Sequence, residues 1–331
     1  MRIARWIDGA DLVDGFVIDD RVVPFADGAR VADVLAQGLD AARALFERAA
    51  DAAGRPLADV RLVAPLAPAS VRDFVAFEEH VEGVSASIDG ASHVPDEWYE
   101  APTFYFTNPH TILGPDEPVA PPATARLDFE LELAAIIGGV EGSDGANLTP
   151  EQAARHIFGY TVMNDWSARD LQGREMQVRL GPAKGKDFGT SLGPWIVTAD
   201  ELDRFLDDDG FLAVHAEVRV NDELIGEDLV SNMGWPFPEL VAYASRDSRV
   251  VAGDVLGSGT VGNGGCLAEL WGRAGELAPS PLAEGDVVSM TVEGVGTLTA
   301  AVGPMPSSPA IPPARERTRA RRRVPLDETA A

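Results

Sequence analysis

The sequence predicts an α+β protein: a mixed, β-roll or barrel-like main domain preceded by a small N-terminal module. Three observations predict it. Strand-like segments are scattered along the chain with only one or two helical stretches between them, which argues against a doubly wound sheet. Gly253-Asp254 and Gly285-Asp286 punctuate the second half as turns. The chain has 331 residues, 45% of them hydrophobic and 24% charged, enough to bury a large core without disulfides or structural zinc.

In chain order, Phe16-Val17-Ile18 and Arg21-Val22-Val23 flank Asp19-Asp20 as the arms of a hairpin. Residues 31–50 place Val34, Leu35, Leu39, Ala42, Leu45 and Phe46 at helical spacing and predict one helix. Residues 56–68, rich in proline and leucine, read as the connection between a module of residues 1–60 and a main domain of residues 61–304. In that domain, Leu127 to Leu133 alternates with period two. Thr149-Pro150-Glu151-Gln152 offers an N-cap threonine, a proline at the first helical position and a capping-box glutamine, so a helix opens there and ends near Phe158. Tyr160-Thr161-Val162-Met163 reads as a strand, as do residues 213–220, 255–257 and 267–271 and a closing pair at 287–292 and 297–302. Residues 305–331, with repeated prolines and the run Arg315 to Arg323, read as a disordered tail.

Composition then excludes several function classes. A formal net charge of −26 argues against nucleic-acid and anionic-membrane partners, both of which need a positive surface. A small anionic substrate needs only a local positive pocket. Lys184 and Lys186 are the chain's two lysines, and both fall within six residues of Gly181 in a glycine-rich stretch, so a functional lysine is expected there. The single cysteine, Cys266, allows no internal disulfide and reads as a small buried residue. No apolar run approaches the roughly 20 residues that span a bilayer. Asp8 interrupts the N-terminal apolar stretch, so no signal peptide is expected and the reading is cytoplasmic.

Three segments could carry chemistry. Asp128, Glu130 and Glu132 fall on one strand face, either solvated or converging on a cation. If a helical turn begins after Met163-Asn164, Asp165, Arg169 and Gln172 form one stripe at i, i+4 and i+7. That stripe is either a surface ion pair or a site for a metal and an anionic oxygen. His80, in Phe77-Glu78-Glu79-His80, would on its own be a surface residue. His93, His110, His156 and His215 lack metal-ligand spacing, and Gly257 to Gly265 is followed by no G-K-[ST], so it is not a phosphate loop.

Taken together, these segments make the chain resemble the fumarylacetoacetate hydrolase family. The likeness rests on Asp128-Phe129-Glu130-Leu131-Glu132, on Met163 through Gln172, and on Gly185-Lys186-Asp187-Phe188-Gly189-Thr190-Ser191-Leu192-Gly193-Pro194-Trp195. Gly257-Ser258-Gly259-Thr260 and Leu267-Ala268-Glu269-Leu270-Trp271 extend it, and it runs from about Val60 to Gly303. The resemblance implies that Glu130, Glu132, Asp165 and Asp73 bind one divalent cation. It implies that His80 is a general base oriented by Glu269, that Arg169, Gln172 and Lys186 form the oxyanion and leaving-group site, and that Thr260 contacts substrate. It also implies a homodimer. All-oxygen ligation suits Mg²⁺ or Ca²⁺, with Mn²⁺ also accommodated.

The reaction so implied is metal-dependent hydrolysis of a C–C bond in a β-diketo acid of the fumarylacetoacetate or acylpyruvate type. A decarboxylase, isomerase or sugar-acid dehydratase using the same metal-enolate chemistry is the alternative, and a non-enzymatic acid-binding protein a third reading. The chain departs from close fumarylacetoacetate hydrolases in having Met176 where they have tyrosine, and in a stretch from Gln172 to Lys186 one residue longer. Substrate contacts from Tyr105 or Asn108 are not assigned by the resemblance.

Overall fold

The computed structural model describes residues 1–49, 52–89 and 92–315. Most of the expected tail, residues 316–331, lies outside the described residues; residues 303–315 form no helix or strand.

Strand β1 (Arg2–Asp8) turns into β2 (Asp11–Ile18), and Asp19 with φ 51° lets β2 turn into β3 (Arg21–Pro24), the expected hairpin. Residues 31–49 form two helices instead of the single one expected over 31–50, α1 (Val31–Gln37) and α2 (Leu39–Ala49). Gly38 breaks them. Its φ is 87°, and a Cβ there would lie 2.4 Å from the Gly139 carbonyl oxygen. The helical spacing of apolar residues survives the break, so the sequence pattern alone does not reveal it. Phe16, fully buried against Phe25 and Phe46, ties these helices to the strands.

The remaining strands needed to place the site are β4 (Val71–Phe74), β5 (Phe104–Thr107), β6 (Leu131–Ile137), β7 (Ile157–Asp165), β8 (Thr190–Thr198) and β9 (Val255–Gly257). With three shorter strands they form a twelve-stranded sheet, in the order β3-β2-β1-β8-β7-β6-β9-β4-β5. β1 pairs with β8 through Arg2 and Ile3, so the N-terminal strands and the later ones share one sheet. Arg61–Val63, within the proline-rich connection, adds a short strand against β1.

Both faces of β6 are buried. Ala134 and Ile136 join the apolar cluster of α1 and α2, while Leu133, Ala135 and Ile137 join a second cluster. That second cluster packs β6 against a four-stranded antiparallel sheet, which includes the closing pair Val287–Val292 and Gly296–Ala301. A mixed sheet with eight α-helices among the described residues and no closed barrel is the α+β architecture the sequence predicts.

Local readings fare unevenly. The capping box at Thr149 and Gln152 is present, but its helix stops at Ala154. Residues 267–271, expected as a strand, form the helix α5 (Leu267–Ala274), with α3 (Glu78–Asp89) packed beside it. Leu267, Ala268 and Trp271 share its buried face, and Gly275 at φ 72° ends it. Five apolar-rich residues cannot distinguish strand from helix by period alone. Among the described residues no helix is long and apolar enough to cross a membrane.

Candidate active site

The expected alternating strand at 127–133 is interrupted. Leu127–Asp128 pairs with Ser167–Ala168 in a separate two-stranded ribbon, and β6 begins at Leu131. Asn164 causes part of this: its Oδ1 accepts from the Glu130 backbone N–H at 3.1 Å, holding Glu130 at the break. Asp165, next in sequence, ends β7 beside it, and Trp166 anchors the turn by donating from Nε1 to Ser191 Oγ at 2.9 Å. The three residues of Asn164-Asp165-Trp166 thus have three separate jobs.

Asp73 enters from β4. The parallel pairing of β4 with β9 sets Asp73 opposite Gly257, and β6 sets Ala134 opposite Gly257 from the other side. Glu132 lies two residues before Ala134 on the same face. Asp73, Glu130 and Glu132 therefore converge, with a carboxylate oxygen of each within 4.8 Å of the others. Gly257 must be glycine here. A Cβ would lie 2.5 Å from Glu132 Oε2 and 2.9 Å from Asp73 Oδ1.

This arrangement excludes the solvated-face reading, since none of Asp73, Glu130, Glu132 and Asp165 exceeds 4% exposure. Asp73 Oδ1, Glu132 Oε1 and Asp165 Oδ1 are buried and have no hydrogen-bond partner among the described residues. Buried carboxylate oxygens without donors are costly. Burial, with neighbouring carboxylates adding to it, pushes Asp73 and Glu132 well above the usual carboxylate range. Burial also acts to raise Glu130, but Lys186 and Arg169 outweigh it and hold that carboxyl low. The convergence of Asp73, Glu130 and Glu132, with unpartnered oxygens on Asp73, Glu132 and nearby Asp165, suits a hard divalent cation, although Asp165 is not in the converging group and Glu130 already pairs with Lys186 and Arg169.

Two buried cations border the carboxylates. Lys186 Nζ pairs with Glu130 and lies 2.5 Å from Asp165 Oδ2. Its charge persists because these carboxylates outweigh the effect of burial. Gly185 permits the approach, since a Cβ there would lie 2.6 Å from the Gln172 backbone nitrogen. Lys184, 71% exposed and paired with Asp187, is the solvated lysine of the two.

The helical stripe expected from Asp165 through Gln172 does not form. Asp165 is on a strand, Ser167–Ala168 intervenes, and α4 (Arg169–Met176) starts only at Arg169. The residues meet by another route. Arg169 donates from Nε to Asp128 Oδ2 at 2.8 Å, pairs through Nη1 with Glu130 Oε1 at 2.8 Å, and donates to Gln172 Oε1 at 3.2 Å. Asp128 is not among the converging carboxylates. It accepts from the Leu267 and Ala268 backbone N–H groups and so caps α5.

His80 on α3 and Glu269 on α5 complete the group. Their helices pack closely because Gly83 faces Glu269, where a Cβ would lie 2.3 Å from Glu269 Cγ. His80 Nε2 lies 4.0 Å from Glu130 Oε1, and Nδ1 lies 3.6 Å from Cys266 Sγ. No hydrogen bond joins His80 to Glu269 among the described residues, although their donor atoms lie within 4.8 Å of one another. Burial, assisted by Arg169 and Lys186, pushes His80 down to about 4, so the imidazole is neutral at neutral pH. Burial pushes Glu269 up to about 7 against the pull of Arg273.

Thr260 is 2% exposed in the loop after β9, two residues from Ser258, whose Oγ accepts from Leu133 N. The sequence reading left Tyr105 unassigned. Its hydroxyl donates to Asp165, and alternation along β5 puts it on the face of buried Thr107. Met176 is 46% exposed and Cys266 is buried. Clefts of about 470 Å³ by Trp235 and Tyr243 and about 580 Å³ by Ser143 and His156 contain none of these side chains, so cleft size does not mark the site.

Buried carboxylates that suit a cation, with a neutral histidine and two cations beside them on a mixed sheet, are the parts of a metal-assisted enzyme that acts on a small molecule. The chain belongs to the fumarylacetoacetate hydrolase family: the model for the fumarylacetoacetate hydrolase C-terminal domain matches residues 69–303. An oxaloacetate tautomerase of Bacillus subtilis is 30% identical over 252 residues, 75% of this chain and 74% of that one. A fumarylacetoacetase of Arabidopsis thaliana is 30% identical over 260 residues, and the match spans 61% of its length. The structure of a fumarylacetoacetate hydrolase from the psychrophile Exiguobacterium antarcticum is 26% identical with a TM-score of 0.68, covering 92% of this chain and 99% of that one. The family is divalent-metal dependent, acts on small molecules, and includes hydrolases as well as the tautomerase.

Proposed function

We propose that the protein hydrolyses a C–C bond in a β-diketo acid of the fumarylacetoacetate or acylpyruvate type. The observation that supports this is the pair His80 and Glu269, both at most 7% exposed and facing each other beside the carboxylates. Metal binding alone needs neither residue, whereas hydrolysis needs a base for water.

In this reading Asp73, Glu130, Glu132 and Asp165 hold Mg²⁺, Ca²⁺ or Mn²⁺, which would polarise the carbonyl under attack. His80, neutral at neutral pH, takes a proton from water as the water oxygen bonds to the carbonyl carbon. Ionised Glu269 stabilises the resulting imidazolium. Arg169, oriented by Asp128, and Lys186 stabilise the alkoxide, with Gln172 donating from its amide. As the alkoxide collapses, the C–C bond breaks. Its electron pair leaves as an enolate, which the His80 proton converts to the ketone. The products are two smaller acids. By resemblance to the family, Thr260 would contact the substrate and the chain would act as a homodimer; the cytoplasm is the compartment expected from its sequence.

A second reading is keto–enol isomerisation, and the similarity to an oxaloacetate tautomerase across 74% of that protein favours it. Proton transfer by His80 would then occur at carbon, with no bond cleaved. A panel of acylpyruvates and fumarylacetoacetate, followed by ultraviolet absorbance with Mg²⁺ and with EDTA, separates the two. Metal-dependent loss of the diketone band with two acids as products supports hydrolysis. Intact diketones, with oxaloacetate interconverted between its tautomers, overturn it.

A further inference from the structure

We infer that His80, Cys266 and Glu269 form a second metal site, selective for zinc, whose filling silences the enzyme by taking its base. The three donors are a nitrogen, a sulfur and a carboxylate oxygen, the ligand types of zinc, and all lie within 4.8 Å of one another. Their geometry suits that ion. Tetrahedral zinc, with Zn–S of about 2.3 Å and Zn–N of about 2.05 Å, sets its sulfur and nitrogen ligands about 3.5 Å apart. Cys266 Sγ lies 3.6 Å from His80 Nδ1.

A second observation points the same way. Glu269 is fully buried, and although the Gly264 and Asn263 backbone N–H groups lie near its carboxylate, neither completes a hydrogen bond to Oε2. Arg273 approaches Oε1 at 2.5 Å, from a side chain that is 46% exposed and able to swing outward. Cys266 is held as a thiol by burial, so each zinc bound as thiolate releases one proton, and affinity rises with pH.

The site differs from the four-carboxylate group in ligand softness. Mg²⁺ and Ca²⁺ favour oxygen, while a thiolate and an imidazole favour zinc. Three protein ligands leave a fourth position for water. Binding at Nδ1 would tie down the imidazole that must take a proton from water. The silencing therefore rests on the proposed role of His80, but the binding does not.

The experiment reads the two separately. Co²⁺ is added in two equivalents to the full chain in excess Mg²⁺ without substrate, and the thiolate-to-cobalt charge-transfer absorption is recorded. One equivalent is expected to give that band in the wild type and none in Cys266→Ala. X-ray absorption of the zinc-loaded wild type, which needs no variant, is expected to show one sulfur at about 2.3 Å. An all-oxygen shell, or the same cobalt spectrum in Cys266→Ala, overturns the site. With substrate, zinc is expected to inhibit the wild type at concentrations at least tenfold below those needed for Cys266→Ala. Equal inhibition of both would place the inhibitory ion among the carboxylates and overturn the silencing.

Discussion

Lys186 Nζ lies 2.5 Å from Asp165 Oδ2 and also pairs with Glu130, so one buried ammonium ties the end of β7 to the break before β6. Removing it takes away the cation the two carboxylates share, leaving Glu130 only the Arg169 cation and Asp165 only the Tyr105 hydroxyl among the described residues. Breaking a buried ion pair from one side costs about 3–5 kcal/mol. Lys186→Met is therefore expected to lower the stability of the metal-free protein by about that amount in urea unfolding. Turnover should fall about 10²–10³-fold. A loss below about 1 kcal/mol, the range of exposed pairs, would contradict this.

Gly257 supplies the second prediction. Gly257→Ala puts a methyl 2.5 Å from Glu132 Oε2 and 2.6 Å from Met163 Cε. The carboxylate must move, so divalent-cation affinity measured by calorimetry is expected to drop about 10–100-fold, the size of effect seen when a ligand loses its orientation. Unchanged affinity would mean that Glu132 is not a ligand.

How much of this was legible in the sequence depends on how local each feature is. Glu130 and Glu132, two apart, and Asp165 beside Asn164 are read from short stretches, and the structure brings them together. Asp128 was not legible in its actual role. It caps a helix 139 residues downstream, and no local pattern announces that partner. Residues 267–271 were misassigned for the same reason, because the cap that makes them helical comes from far along the chain. Gly38 breaks a helix whose apolar spacing continues across it. Tyr105 sits in a segment where resemblance gave no assignment, and only the pairing of β5 with β4 carries it to Asp165.

Arg169 uses its fork. Nε and Nη2 each approach Asp128 Oδ2 at 2.8 Å while Nη1 reaches Glu130. A lysine cannot span both carboxylates. Arg169→Lys is expected to lower kcat about 10²-fold, with the protein still folded by circular dichroism. Near wild-type kcat would remove Arg169 from the proposed oxyanion site.

The pH dependence of stability separates His80 from Glu269. His80 titrates at about 4 when folded against 6.5 unfolded, so its contribution is full above 6.5 and lost as pH falls through 4. Glu269 titrates at about 7 against 4.5, so its contribution is full below 4.5 and lost as pH rises through 7. Each amounts to about 3 kcal/mol. Between pH 4.5 and 6.5 the two slopes offset in the wild type. The stability of wild type minus His80→Gln should therefore rise with pH from 4 to 6.5, and that of wild type minus Glu269→Gln should fall from 4.5 to 7. Parallel urea-unfolding curves across this range would contradict both assignments.

The central claim is that His80 activates water for C–C cleavage. It is tested most directly by turning over an acylpyruvate with Mg²⁺ in oxygen-18-labelled water and weighing the products by mass spectrometry, with His80→Ala alongside. The wild type should yield two acids, with one labelled oxygen entering at the scissile carbonyl, and His80→Ala should yield neither while still binding Mg²⁺. An uncleaved substrate, or cleavage at full rate in His80→Ala, would contradict the account.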